Sequence, residues 1–186
     1  MSAPLAAVAD RDHTLGRRDA SMTLVQYGDY QCPYTRRSNA EIAVVRRELG
    51  PGLLFVFRHF PLAEIHPHAV RAALAAESAS RAGAFWPMHD ALFARQHDLS
   101  DEGLAAAASS AGADPAAVLA DVEAGAALAL VREDFDGGTA AGVLGTPTFF
   151  VNGLRHDGGY GAAELMAGLR RGGAEFARPA ADRASP

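Results

Sequence analysis

Gln31-Cys32-Pro33-Tyr34-Thr35 holds the only cysteine of this 186-residue chain. The stretch follows an apolar, strand-like run at 23–27 and precedes a helix-like run at 36–49. A cysteine at such a joint faces the unpaired N–H groups of a helix N-terminus, where partial positive charge favours the thiolate over the thiol. Because the thiolate is the reactive form of cysteine, the position predicts an exposed nucleophile at Cys32.

Thr35 stands where a second cysteine would complete a Cys-x-x-Cys pair. With one cysteine the chain forms no intramolecular disulfide. The Thr35 hydroxyl is a candidate donor to the Cys32 sulfur and equally a group that fills space. Arg36, Arg37 and Asp29 are the nearest charged residues. Each is a candidate modulator of the thiol and equally an ordinary helix or turn residue.

Composition excludes several classes of function. Hydrophobic residues make up 49% of the chain, and a net charge of -5 without a basic patch argues against a nucleic-acid partner. All 17 basic residues are arginine, which excludes Schiff-base chemistry on lysine. No run approaches the ~18 apolar residues of a membrane span, and residues 1–13 lack a signal-peptide pattern. We therefore expect a cytoplasmic protein with no membrane contact.

Hydrophobic patterning predicts a βαβ unit around Cys32. Strands at 21–27 and 53–57 flank the helix that follows the cysteine. The second run is almost wholly apolar, as in a strand covered on both faces of a parallel sheet. From 61 to 142 the sequence predicts four or five helices, more than a crossover connection needs. We interpret this segment as an inserted all-helical subdomain.

Asn152-Gly153 predicts a hairpin, because both residues tolerate positive φ. It joins strands at 148–151 and 154–156, and a closing helix follows at 162–171. The fold class is therefore α/β, a mixed central sheet flanked by helices with a helical insertion. The predicted parts are an α/β domain at 13–60 and 143–171, a helical subdomain at 61–142, and flexible termini at 1–12 and 172–186.

Five short blocks carry a family resemblance: Asp29-Tyr30-Gln31-Cys32-Pro33-Tyr34, Phe57-Arg58-His59-Phe60-Pro61-Leu62, His66-Pro67-His68, Phe85-Trp86-Pro87-Met88-His89, and Gly145-Thr146-Pro147-Thr148-Phe149-Phe150-Val151-Asn152-Gly153. In this order, and with the predicted elements around them, they resemble the DsbA-like branch of the thioredoxin superfamily. The resemblance covers residues 13–171. It implies a thioredoxin-like fold.

The resemblance also implies a role for each motif residue. Cys32 matches the attacking cysteine, and Pro33 and Tyr34 match the variable pair that tunes its reactivity. Pro147 matches a cis-proline packed against the active site, and Thr146 matches the residue whose backbone pairs with an extended substrate. Thr35 departs from the family pattern, because it occupies the position of the resolving cysteine. An engineered threonine in place of a natural cysteine at position 35 would give the same Cys32-Pro33-Tyr34-Thr35 motif.

Three functions follow as hypotheses. The first is a monothiol thiol–disulfide oxidoreductase that acts through Cys32, with an external thiol completing the cycle. Its partners would be protein or low-molecular-weight disulfides and thiols; no cofactor is expected to be bound, and glutathione is a candidate co-substrate. The second is a glutathione-linked transferase or isomerase like the kappa-class transferases. The third is a peptide-binding module without turnover.

The histidines favour structural roles over a metal site. His66 and His68 form a His-Pro-His sequence with no second cluster of ligands nearby, which indicates the start of a helix. His59 and His89 are expected to be packed or hydrogen-bonded residues of the fold. No metal site is predicted.

Overall fold

A computed structural model describes residues 5–176, and at its centre is a five-stranded sheet. The strands are β1 (His13–Leu15), β2 (Met22–Gly28), β3 (Leu53–His59), β4 (Thr148–Val151) and β5 (Leu154–Arg155). The helices are α1 (Pro33–Leu49), α2 (Ala69–Ser80), α3 (Phe85–Ala94), α4 (Asp101–Ser110), α5 (Pro115–Glu123), α6 (Leu128–Ala140) and α7 (Ala162–Phe176). None of the helices in this part of the chain is long and apolar enough to cross a membrane.

The parallel pair of β2 and β3 organises the sheet. These strands align along seven residues, from Met22 beside Leu53 to Gly28 beside His59, and α1 connects them. The strand order is β1-β3-β2-β4-β5, and the other three pairs are antiparallel. Every residue of β3 is buried, as expected of a strand covered on both faces. The predicted βαβ unit and mixed sheet are confirmed.

The helical segment and the sheet share one hydrophobic cluster. Helices α2 to α6 all lie between β3 and β4 in the chain. Met88 and Leu92 of α3 belong to the same buried cluster as Phe55 and Phe57 of β3 and Leu165 of α7. Because successive residues of a strand face opposite sides, the intervening Val56 belongs to a second cluster on the other face. The division into two subdomains stays a prediction.

The start of the described chain, within the lead-in predicted to be flexible at residues 1–12, contacts the sheet. The Arg58 guanidinium is buried beneath residues 6–12 and donates to both carboxylate oxygens of Asp12 at 2.8 and 2.9 Å. It also donates to the backbone oxygens of Ala6 and Ala7 at 3.1 Å. A buried guanidinium needs such partners, so it fixes the segment. Residues 1–4 and 177–186 lie outside the described residues, and α7 runs five residues past its predicted end.

A buried His–Glu–His group joins β1, β3 and α2. Glu77 Oε1 lies 2.6 Å from His13 Nε2 and 2.8 Å from His59 Nε2. Burial alone would raise the pKa of Glu77, but the two histidine hydrogen bonds outweigh it and hold that pKa well below its usual range. His59 is therefore a hydrogen-bonded residue of the fold, as predicted.

We predict that Arg58→Met destabilises the protein by roughly 3 kcal/mol, because Asp12 is left buried without its partner. The free energy of unfolding in guanidinium chloride measures the effect. Arg17→Met is the matched control, since the Arg17–Asp19 ion pair is exposed and should contribute little to stability. Equal losses in the two variants would contradict a special role for Arg58.

We predict that the stability contributed by Glu77 is lost in acid. Because the folded pKa lies below the ordinary value of 4.5, this stabilisation is complete above that value and falls away as pH drops below it. Glu77→Gln should therefore lower the unfolding free energy by roughly 3 kcal/mol at neutral pH, with a smaller difference from the parent at about pH 3. Glu64→Gln, at an exposed position, should match the parent throughout. A pH-independent difference between the parent and Glu77→Gln would refute the prediction.

Candidate functional site

Cys32 lies at the corner where β2 gives way to α1. It is the N-cap residue of α1, with φ -74° and ψ 120°, and its side chain makes no capping hydrogen bond. Pro33 occupies the first helical position, where a missing N–H costs nothing. Cys32 O accepts the first helical hydrogen bond from Arg36 N–H at 3.2 Å. The sulfur therefore sits at the positive end of the helix without serving as its cap.

The structure brings Cys32 against the residue before Pro147. Cys32 Sγ lies 3.2 Å from Thr146 O, so the thiol S–H donates to this carbonyl across 114 positions of sequence. The Thr146–Pro147 peptide bond is cis. The expected exposure of the thiol is wrong, because Cys32 is only 3% exposed. Access to the sulfur therefore depends on the partly exposed Thr146 and Pro147 and on the exposed Pro33.

The Thr35 side chain bonds the turn before the cysteine. Its side chain is fully buried, and its hydroxyl accepts from Asp29 N–H at 3.4 Å. Within residues 5–176 no hydrogen bond joins Thr35 to Cys32, so the hydroxyl donation to sulfur considered from the sequence is not present. Thr35 instead secures the turn before the cysteine from the first turn of α1.

Asp29 is the centre of the turn before Cys32. Its carboxylate accepts from Gln31 N–H at 2.7 Å and from Leu62 N–H at 2.8 Å. The same oxygen that accepts from Leu62 also lies 2.8 Å from His66 Nδ1. His66 thus belongs to a positioning network and lies before α2, not within the start of that helix. Asp29 holds the turn to the loop that follows β3.

Gln96 clamps the backbone on both sides of the reactive residue. Its Nε2 donates to Tyr30 O at 2.8 Å and to Cys32 O at 2.9 Å, using both amide hydrogens. Gln96 follows α3 and lies 64 positions after the cysteine. Sequence reasoning missed it, because its acceptors are backbone carbonyls, which every residue carries.

His89 contacts Tyr30, in the turn before Cys32, and is not a base for the thiol. It is buried, with Nδ1 3.1 Å from Tyr30 Oη and Nε2 3.4 Å from Asn39 Nδ2. Burial lowers the pKa of His89 to about 3, so its imidazole is neutral at ordinary pH. The predicted structural role of His89 agrees with these contacts.

The surface beside the sulfur carries exposed apolar and cationic groups. Tyr34 is 55% exposed, and the Arg37 guanidinium carbon lies 5.6 Å from its ring centroid. Leu144, two residues before Thr146, is almost fully exposed. The exposed Tyr34 ring therefore stands two positions after Cys32, with the Arg37 guanidinium over one of its faces.

Within the part of the chain that the structure describes, the side chains grouped closely enough to hold a metal do not include Cys32. His13, His59 and Glu77 place their ligand atoms within 4.8 Å of one another, a grouping the sequence analysis did not find. Their N–O distances of 2.6 and 2.8 Å are those of hydrogen bonds. Two ligands on one ion, each at ~2.0–2.1 Å, lie about 3 Å or more apart. As folded, the group is a hydrogen-bond network.

Comparisons with known proteins agree with this geometry. The chain is 42% identical over 165 residues to a protein of Mycolicibacterium vanbaalenii named Na(+)/H(+) antiporter NhaA 1. That match covers 88% of this chain and 27% of the relative, so the chain spans about a quarter of the length of the curated relatives it matches. A thioredoxin-like oxidoreductase from Silicibacter pomeroyi superposes with a TM-score of 0.80 at 26% identity, covering 91% of this chain and 95% of that one.

The fold is also shared with BdbD from Bacillus subtilis, with a TM-score of 0.83 at 22% identity, over 93% of this chain and 98% of that one. The family model described as Thioredoxin matches residues 9–169. These residues include the corner at Cys32 and the cis bond at Thr146–Pro147. The chain belongs to the thioredoxin family, and it carries a single cysteine.

Proposed function

We propose that this protein is a thiol–disulfide oxidoreductase that works through one nucleophile, Cys32. The observation that carries the proposal is the position of Cys32 Sγ, at the N-terminus of α1 and 3.2 Å from the carbonyl before a cis-proline. Thiol–disulfide exchange needs only an attacking thiolate and access to a disulfide. The oxidoreductases with similar structures support the general class of reaction.

The proposed cycle has two exchanges. In the first, the Cys32 thiolate attacks one sulfur of a disulfide R–S–S–R′; a Cys32–S–S–R bond forms, and R′S⁻ leaves with the electron pair and takes a proton from water. In the second, an external thiol attacks the mixed disulfide and leaves as the new disulfide, which returns the Cys32 thiolate. Glutathione is the proposed external thiol. The chain holds no second cysteine to perform this step.

Thr146 O is proposed to receive the substrate. In the resting thiol it accepts the S–H hydrogen of Cys32. When that proton leaves, the carbonyl loses its donor and a backbone N–H of an extended substrate takes its place. Substrate docking and thiolate formation would then use the same oxygen in alternation. The partners would be proteins or small molecules that carry a disulfide or a thiol.

We also propose that the chain acts in the cytoplasm, where glutathione is kept reduced and can release the mixed disulfide. The relatives named as antiporters contain far more chain than this match covers. Within such proteins, the equivalent segment is proposed to supply thiol exchange.

A second candidate, a peptide-binding module without turnover, is favoured by one observation. Cys32 is almost completely buried, whereas reactive cysteines are usually reached by solvent. The surface formed by Thr146 and the exposed Tyr34 could bind a peptide without chemistry at the sulfur. The reactivity of Cys32 separates the two candidates.

We predict that Cys32 forms a mixed disulfide with oxidised glutathione at least about tenfold faster than an exposed thiol at a helix C-terminus. The matched control is the double variant Cys32→Ser, Ser109→Cys, whose single thiol lies exposed in the last turn of α4. There the helix dipole disfavours the thiolate. Intact-protein mass spectrometry follows both adducts over time.

The single variant Cys32→Ser should form no adduct and should not reduce a glutathionylated peptide. If the thiol on α4 reacts as fast as Cys32, the corner does not activate its cysteine. The binding module would then be the better description.

We predict that Gln96→Glu slows adduct formation at Cys32 about tenfold, because a carboxylate cannot donate to the two carbonyls and the turn loses its fixed geometry. The fold should persist, with a loss of about 1–2 kcal/mol in unfolding free energy. His97→Ala, at the exposed neighbouring position, is the control and should react like the parent. An unchanged rate in Gln96→Glu would show that the clamp is dispensable for reactivity.

A further inference from the structure

A cavity of about 350 Å³ opens between α1, β1, β3 and α3. Its lining includes Asn39 and Arg46 of α1 and Trp86, His89 and Asp90 of α3. Neither Cys32 nor the Thr146–Pro147 pair lines it, so it is separate from the reactive corner. Its volume lies within the range of sites for small molecules.

Opposite charges line this cavity without pairing. Arg46 and Asp90 stand on different helices, and none of the ion pairs among residues 5–176 joins them. Burial raises the pKa of Asp90, and the Arg46 charge counteracts it. Each charge is therefore free to meet a complementary group of a ligand, and a zwitterion carries both complementary groups.

Asn39 is a polar residue of the cavity wall. Its Oδ1 is buried and has no hydrogen-bond partner, while its Nδ2 lies 3.4 Å from His89 Nε2. This oxygen is closed to solvent, so the Asn39 amide supports His89 in the cavity wall. His89 is neutral, so it adds no charge of its own.

The rest of the lining is apolar. Ile42 and Phe55 are buried side chains of the wall, and Trp86 also lines the cavity. The indole N–H already donates to Thr14 O at 3.1 Å, which leaves the ring for packing. An aromatic ring is also a favourable neighbour for an ammonium group.

We propose that this cavity binds a small molecule through an α-amino-acid group, with the ammonium on Asp90 and the carboxylate on Arg46. The remainder of the molecule packs against Trp86. A free amino acid and a γ-glutamyl peptide carry this same group. The site is independent of the redox function proposed for Cys32.

Isothermal titration of the full chain tests the proposal with two probes, L-phenylalanine and S-methylglutathione, whose blocked sulfur cannot react at Cys32. Saturable binding of either probe is expected. For the amino-acid arm, N-acetyl-L-phenylalanine and L-phenylalaninamide should bind about tenfold more weakly, since each lacks one charge. Binding of S-methylglutathione alone would assign the site to γ-glutamyl peptides, and binding of phenylalanine alone to free amino acids.

Arg46→Gln and Asp90→Asn should each weaken binding about tenfold. Both residues reach solvent and neither is part of the buried core, so the variants should fold, which far-ultraviolet circular dichroism verifies. Arg47→Gln, one position along α1 and outside the cavity lining, is the matched control and should bind like the parent. The proposal fails if neither probe binds, if the blocked analogues bind equally well, or if both cavity variants retain parental affinity.

Discussion

The register between β2 and β4 is the constraint on which the reactive corner depends. Tyr27, near the end of β2, pairs with Thr148, the first residue of β4, in an antiparallel arrangement. The segment that follows β2 therefore lies beside the segment that precedes β4, at the same end of the sheet. This is how Cys32 Sγ comes to lie 3.2 Å from Thr146 O. A slip of one residue would reverse the faces of β4 and remove that carbonyl from the sulfur.

The helical insertion supplies the second support of the corner. Gln96 donates to the carbonyls of Tyr30 and Cys32, and His66 contacts Asp29. These contacts come from two separate parts of the segment between β3 and β4. Since its helices also share a hydrophobic cluster with the sheet, the insertion fixes the geometry of the turn as well as covering it. Thr146, just before β4, accepts the hydrogen bond from the Cys32 sulfur, and Gln96 of the insertion donates to the Cys32 backbone carbonyl.

How far the sequence predicts this arrangement depends on the kind of interaction. The βαβ unit and the hairpin follow from apolar runs and from Asn152-Gly153, whose effects are local. The Gln96 clamp could not be predicted, because its acceptors are backbone carbonyls far away in sequence. The ordering of residues 5–12 had one overlooked signal: Arg58 is a charge inside an otherwise apolar strand, and a buried charge requires a partner. The sequence does not name that partner, since every aspartate or carbonyl is a candidate.

Thr35 determines whether the corner can form a disulfide of its own. Its side chain is buried against the turn and bonded to Asp29 N–H, so the place of a resolving thiol is filled by a structural contact. A disulfide at Cys32 must therefore use a thiol from outside residues 1–186. Under the proposed mechanism, the carbonyl of Thr146 bonds either the thiol proton or the substrate. Substrate binding and proton release then favour each other by linkage, which would make a thiol that is buried at rest reactive when a disulfide substrate docks.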